Sequence, residues 1–324
     1  MPHSEPVNGS STNGPRPERR GVYLLTHPRS ASNLFQRMME AQPGVQGSGY
    51  QFFNAAFPMM MSMEKGPLSS FPEAEREALY APYQEAFEAA KAELYGAKAK
   101  GLQVFVKEHA CLLASPDKLY ASVYEADRNG KEPWVLCPED AHTNPSFLPD
   151  DFLLSMQPIF QIRHPVAMFP SLVRTQKKIF ADSRPSNARF VALLTLRYSR
   201  ALYDWYSTHE HGMAPKVIDA DDIMNNPAAV RQLCNETGLD PNAVQYEWET
   251  REEADPMKVH FLSTLNASKG IKSGLQARDL DIETEKTKWV EEFGQQDADD
   301  LAKTVYEAMP DYEYLLKRRV KGSQ

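Results

Sequence analysis

Cysteine is scarce. There are three in 324 residues, Cys111, Cys137 and Cys234, odd in number and widely spaced. That excludes a disulfide framework or a cysteine zinc centre as the organising principle, and reads as small buried hydrophobes in a reducing compartment. Long apolar runs are missing too. No stretch approaches the roughly 18 residues that a membrane-spanning helix needs. Met1 to Arg20 is polar, rich in Pro, Ser, Asn and Gly, and carries no hydrophobic stretch of the kind a secretory signal has. Residues 1–20 are therefore expected to be a short disordered tail on a cytoplasmic protein. A basic surplus is also absent, since 36 Lys and Arg against 44 Asp and Glu leave −8 at neutral pH. This argues against a nucleic acid or an anionic membrane as partner, but leaves room for a local basic pocket around a small anion. HExxH, paired-cysteine and EF-hand patterns do not occur, so no metal is expected.

What is present is an ordinary globular composition, 42% hydrophobic and 25% charged. With no internal repeat and no low-complexity linker after the tail, residues 21–324 read as a single α/β domain. Short apolar strands are predicted at Val22–Leu25, Gln103–Lys107, Pro158–Arg163 and Lys216–Asp219. Helical spacing follows at Leu34, Phe35, Met38 and Met39, over Glu73 to about Lys98, from about Val166, over Ala188 to Thr208, and over Ala228 to Thr237, where Gly238 stops it. The aromatic and Met-rich stretch Phe52 to Met63 shows no clear period. Alternating strands and helices imply a central parallel sheet with helices on both faces, and ligands in such sheets bind outside the carboxyl ends of the strands.

Three segments sit at those ends. Thr26-His27-Pro28-Arg29-Ser30-Ala31-Ser32-Asn33 is a turn between a strand and a helix, a P-loop-like anion site in which backbone amides, the Arg29 fork and the short donors Ser30, Ser32 and Asn33 converge. It has no glycine and lacks the G-x-x-x-x-G-K-[ST] pattern of ATP sites; alone it is equally a capped helix start with a surface arginine. Ile162-Arg163-His164-Pro165 through Ser171 repeats the theme, a cation at a strand end and a hydroxyl eight residues on. In Val106-Lys107-Glu108-His109, strand alternation puts Lys107 and His109 on one side and Glu108 on the other. A histidine there can take a proton from a hydroxyl, and the lysine can neutralise charge growing on a leaving phosphate. An isolated histidine is more often a satisfied core residue; this one has a cation beside it.

In this order, the three segments resemble the cofactor-dependent sulfotransferases, which move a sulfuryl group from 3′-phosphoadenosine 5′-phosphosulfate (PAPS) to an acceptor. Pro28 to Asn33 resembles their 5′-phosphosulfate loop, P-[KR]-S-G-[ST]-[ST], with Ala31 in place of the usual glycine and Asn33 where Ser or Thr is common. Arg163 to Ser171 resembles their 3′-phosphate segment, and Lys107-Glu108-His109 the Lys-x-His of the cytosolic branch. Val217 to Ile223, Asn226-Pro227 and Thr237-Gly238-Leu239 resemble the family's Y-E-D-L…P…LGL stretch. Ser268-Lys269-Gly270 and Lys288-Trp289 are similar to its Arg-Lys-Gly loop and the tryptophan that follows.

The resemblance implies that Arg29, Ser30, Ala31, Ser32 and Asn33 hold the 5′-phosphosulfate, while Arg163 and Ser171 hold the 3′-phosphate with Lys269 and Gly270. It implies His109 as base and Lys107 at the leaving oxygen, without a metal, with 3′,5′-adenosine bisphosphate as product. Glu108 is kept as an alternative base, because Golgi-type relatives use a carboxylate. Phe52, Phe53, Phe57 and Met60 are candidates for the pocket of a small, partly apolar alcohol or phenol; ordinary core packing is the other reading of that stretch. A homodimer is compatible with all of this. Two rival functions stay open: a protein of the same fold that has abandoned PAPS and works as a lyase, cyclase or binding protein, and a nucleotide kinase, against which the missing Gly-Lys-Ser/Thr speaks.

Overall fold

The computed structural model describes residues 19–209 and 213–322. The expected tail lies outside the described residues as far as position 18. Its last two residues are held in place: the Arg20 N–H donates to the Ser155 carbonyl at 2.8 Å and the Arg19 guanidinium to the Thr237 carbonyl.

Five parallel strands form one sheet, β1 (Gly21–Thr26), β2 (Val45–Gly47), β3 (Gln103–His109), β4 (Met156–Ile162) and β5 (Lys216–Asp219), in the order β2-β3-β1-β4-β5. The central strands β1 and β4 are apolar and buried along their whole length, whereas the edge strand β2 is partly exposed. Alternation divides the core in two. Tyr23, Leu25, Val104, Phe160 and Val217 enter the larger cluster, and Val22, Leu24, Phe105, Ile159 and Ile218 the smaller one on the other face. Helix α1 (Ser32–Met38) covers the smaller cluster through Phe35 and Met38. Helices α2 (Gln51–Ser62) and α3 (Glu73–Ala99) cover the larger one. The register pairs Thr26 with His109 and Leu24 with Lys107, and brings the end of β1 level with that of β4, just before Arg163.

The periodicity reading does not name the edge strand β2 or the helices Pro256–Asn266, Ile282–Phe293 and Gln295–Lys317, and two further stretches differ from it. The stretch without a period is the helix α2, with Phe52, Ala55, Ala56, Met59 and Met60 buried. It is apolar nearly all round, so no polar stripe betrays its turn. The helix expected over Ala188 to Thr208 is two, Ala188–Leu193 and Arg197–Thr208. The Leu193 carbonyl, which a continuous helix would offer to the amide of residue 197, lies 2.8 Å from His27 Nε2 instead; the Arg197 N–H goes to Thr195 Oγ1 at 3.2 Å.

Candidate active site

The turn after β1 is left-handed at two residues that are not glycine, Arg29 at φ 67° and Ala31 at φ 65°. Such a residue costs roughly 1–2 kcal/mol, so the surroundings must hold the turn. They do so through its carbonyls. Ser30 O accepts from Gln161 Nε2 at 2.6 Å, Pro28 O lies 2.8 Å from His27 Nδ1, and Arg29 O is 3.4 Å from Arg163 Nη1. Among the described residues no acceptor takes the amides of Ala31, Ser32 or Asn33, which remain available to an anion. Ala31 thus adopts a conformation that glycine takes freely, at a steric cost.

At the end of β3, Lys107 and His109 face the cavity beside this turn. The Lys107 ammonium donates to Asn33 Oδ1 and lies 4.6 Å from the centre of the Tyr50 ring. Burial pulls its pKa down to about 8, so it still carries its proton at neutral pH. His109 is held well below its usual pKa by burial, and then by the nearby charges of Lys107 and Arg29; it is a neutral imidazole at pH 7. Its Nδ1 sits 2.6 Å from Thr26 Oγ1, and the Tyr50 ring meets it edge-on at 5.3 Å. Glu108, the alternative base, is placed differently. Strand alternation turns it to the other face, where it is fully buried and its Oε1 accepts from the Phe52 N–H at 2.9 Å. Burial pushes its carboxyl up to about 8, but it does not reach the cavity.

Arg29, Asn33, Lys107, His109, Arg163 and Ser171 line one cavity of about 530 Å³. Arg29 Nε donates to Ser171 Oγ at 3.0 Å and Nη1 to the Phe261 carbonyl at 3.0 Å; Arg163 Nη2 donates to the Leu275 carbonyl at 2.9 Å. These partners are all neutral. Burial lowers the pKa of both guanidiniums, and for Arg29 the charges of Arg163 and Arg174 add to the effect. Crowded cations of this kind are relieved by an anion.

Several candidates lie elsewhere. Lys269 is 76% exposed, its ammonium 4.0 Å from Glu249 and away from the cavity, whereas Gly270 and Lys272 line it. The Lys269 carbonyl accepts from the Trp248 N–H at 3.2 Å, and the cation three residues later is the one that lines the cavity. Ser30 lies behind the turn, fully buried with an unpartnered Oγ. Phe52 packs against Phe147 in the core, and Phe57 sits behind Phe53, 6.2 Å between rings. Phe53 and Met60 do line the cavity, with Tyr50, Asn54, Leu112 and Leu193, a largely apolar end beside His109.

Sequence reasoning passed over Thr26, His27, Tyr50, Asn54 and Lys272. The first two adjoin the loop and share its motif. Tyr50 and Asn54 lie on a stretch without periodicity and Lys272 in a loop without regular structure, and for them no local signal exists. Among the described residues no group of three His, Cys, Asp or Glu could hold a metal ion, and no helix is long and apolar enough to cross a membrane.

No protein-family model matches the chain. Two curated relatives do, over nearly their full length. Sulfotransferase ppzF of Metarhizium majus (strain ARSEF 297) is 33% identical, covering 96% of this chain and 99% of its own. Sulfotransferase ppzF of Metarhizium rileyi (strain RCEF 4871) is 32% identical, covering 93% and 96%. Among solved structures, the sulfotransferase domain from the curacin biosynthetic pathway aligns over 85% of this chain and 97% of that one, with 14% identity and a TM-score of 0.42. The sulfotransferase domain from the Synechococcus PCC 7002 olefin synthase aligns over 90% and 97%, with 18% identity and a TM-score of 0.41. The identity to the two Metarhizium proteins, sustained from end to end, makes this chain a member of the sulfotransferase family.

Proposed function

We propose that the protein transfers a sulfuryl group from PAPS to the hydroxyl of a small organic acceptor, in the cytoplasm. The observation that carries this reading is the meeting of Arg29, Lys107, His109 and Arg163, from three different strand ends, around one cavity; among the described residues none of the three cations has a carboxylate as a hydrogen-bond partner. The free amides at Ala31 to Asn33 and the Arg29 fork suit a phosphosulfate. Arg163, with Ser171 and Lys272, suits the 3′-phosphate that separates this donor from ATP. The apolar end formed by Tyr50, Phe53, Met60 and Leu112 suits the acceptor.

His109 takes the hydroxyl proton on its ring nitrogen. The acceptor oxygen's electron pair forms the new S–O bond as the bond from sulfur to the phosphate oxygen breaks, and the departing pair stays on the bisphosphate product. Lys107, still protonated at neutral pH, neutralises that oxygen. Alignment and charge placement supply the rate, as in phosphoryl transfer.

The test is thermal unfolding with 3′,5′-adenosine bisphosphate, alongside 5′-AMP and ATP. At one hundred times its dissociation constant the bisphosphate adds about 2.7 kcal/mol, a shift of several degrees. A shift with the bisphosphate and none with 5′-AMP supports a 3′-phosphate site. No shift with any nucleotide refutes the donor assignment and favours a use of the fold without PAPS.

A further inference from the structure

Thr26, the last residue of β1, is fully buried, and its hydroxyl touches two groups. Oγ1 lies 3.1 Å from the Glu108 carbonyl oxygen and 2.6 Å from His109 Nδ1. The carbonyl can only accept, and a hydroxyl has one proton to give. If that proton went to Nδ1, Thr26 Oγ1 and Glu108 O would face each other at 3.1 Å with no hydrogen between them, in a site where water does not screen the repulsion. Both contacts are satisfied in one arrangement alone. The hydroxyl donates to the Glu108 carbonyl and accepts from a protonated Nδ1.

We infer that Thr26 is a positioning residue that holds His109 in the tautomer with the proton on Nδ1, leaving the Nε2 lone pair as the base. This rests on His109 being the base of the proposed reaction. Three observations make the assignment more than a local contact. Burial and the cations Lys107 and Arg29 keep the ring neutral, so it has a single N–H to place. Among the described residues no protein group bonds Nε2, and the ring lines the cavity. The parallel register pairs Thr26 with His109 directly, so the contact is built by the sheet and not by a mobile loop.

When Nε2 takes the acceptor proton, the imidazolium keeps its Nδ1–H on Thr26 Oγ1, and the ring has no need to turn. Without the hydroxyl, the tautomer with the proton on Nε2 competes. That form presents a hydrogen to the acceptor hydroxyl in place of a lone pair, and it is inactive as a base.

The test reads the tautomer separately from turnover. Two-bond ¹H–¹⁵N correlation spectra of the full chain, with the His109 signals assigned from a His109→Gln variant, are expected to show a pyrrole-type Nδ1 and a pyridine-type Nε2. In Thr26→Val the two nitrogens should move towards a mixture, and kcat for sulfuryl transfer should fall about tenfold to a hundredfold. The dissociation constant for 3′,5′-adenosine bisphosphate should stay within twofold. Thr26→Ser, which keeps the hydroxyl, should restore both the spectrum and kcat, and a merely structural role for the threonine methyl would not produce that rescue. A wild-type spectrum with the proton on Nε2 overturns the inference, whether or not the protein transfers sulfuryl groups. So does a folded Thr26→Val that retains the wild-type tautomer and kcat. If Thr26→Val fails to fold, the wild-type and Thr26→Ser spectra still decide the matter. A Nδ1–H tautomer in a protein that ignores the bisphosphate would instead defeat the donor assignment alone.

Discussion

Two regions that contribute polar and charged groups to this cavity are built in opposite ways. The first is made of short contiguous segments, the turn Pro28 to Asn33 and the strand end Lys107 to His109, joined by the pairing of β1 with β3. The second, residues 268–278, lies far along the chain and has little regular structure. It is anchored by a carboxylate cluster after β5. The amides of Ala277 and Arg278 donate to Asp221 at 2.8–3.1 Å, and Arg278 Nη2 donates to Asp219 Oδ1 and Asp222 Oδ2, both at 2.7 Å. In the first region chain direction and strand alternation decide where each side chain points. In the second, a remote anchor decides it, and the sequence neighbourhood of a lysine says little about whether it faces in.

Breaking the first region at its centre should have the largest effect. His109→Ala is expected to lower kcat about 10²–10⁴-fold while binding of the bisphosphate stays nearly unchanged; equal turnover would remove His109 from the mechanism. The opposite side of the same strand should respond in stability. Glu108 has its carboxyl pushed up to about 8 in the fold, so as pH rises from the ordinary carboxylate range the unfolded chain loses its proton first. The folded state is then progressively disfavoured up to about pH 8, by on the order of a few kcal/mol. Glu108→Gln should flatten that decline in denaturant titrations between pH 5 and 8, without matching the kcat loss of His109→Ala.

The second region is sharpened by comparing two lysines. Lys272→Ala is expected to weaken 3′,5′-adenosine bisphosphate about tenfold, the value of one charge-assisted contact, and Lys269→Ala less than twofold. Calorimetric titration of both variants checks the order, and the reverse order would restore Lys269 to the site. The smallest effect returns to the turn. Ala31→Gly relieves a left-handed alanine and should raise stability by about 1 kcal/mol, visible as a modest rise in Tm.

Much of the fold was legible because four of the five strands are short apolar runs; the edge strand β2, Val45-Gln46-Gly47, is too short and too polar to stand out. Helix α2 was hidden by being apolar on nearly all sides, and the break at Leu193 to Leu196 by a carbonyl contact with His27, which is 166 residues away. Of the residues named from motifs, Arg29, Asn33, Lys107, His109, Arg163 and Ser171 do line the cavity, because each lies at the end of a strand or on the turn or helix that follows it. Phe52 and Phe57 were named with Phe53 and Met60, yet only the latter two reach the cavity, since composition cannot say which face of an apolar helix looks inward.

The sequence by itself determined the alternation of parallel strands and helices, the turn between β1 and α1 and the opposite sides taken by Glu108 and its two neighbours. All of these follow from periodicities of two and 3.6 residues acting over a few positions. The tertiary structure alone decided that the three strand ends share one cavity, and that Lys272 enters it while Lys269 does not. It also decided that Ala31 is held left-handed and that Thr26 meets the His109 ring. Those outcomes depend on contacts between residues tens to hundreds of positions apart, and no local pattern in a chain encodes the distance between such residues.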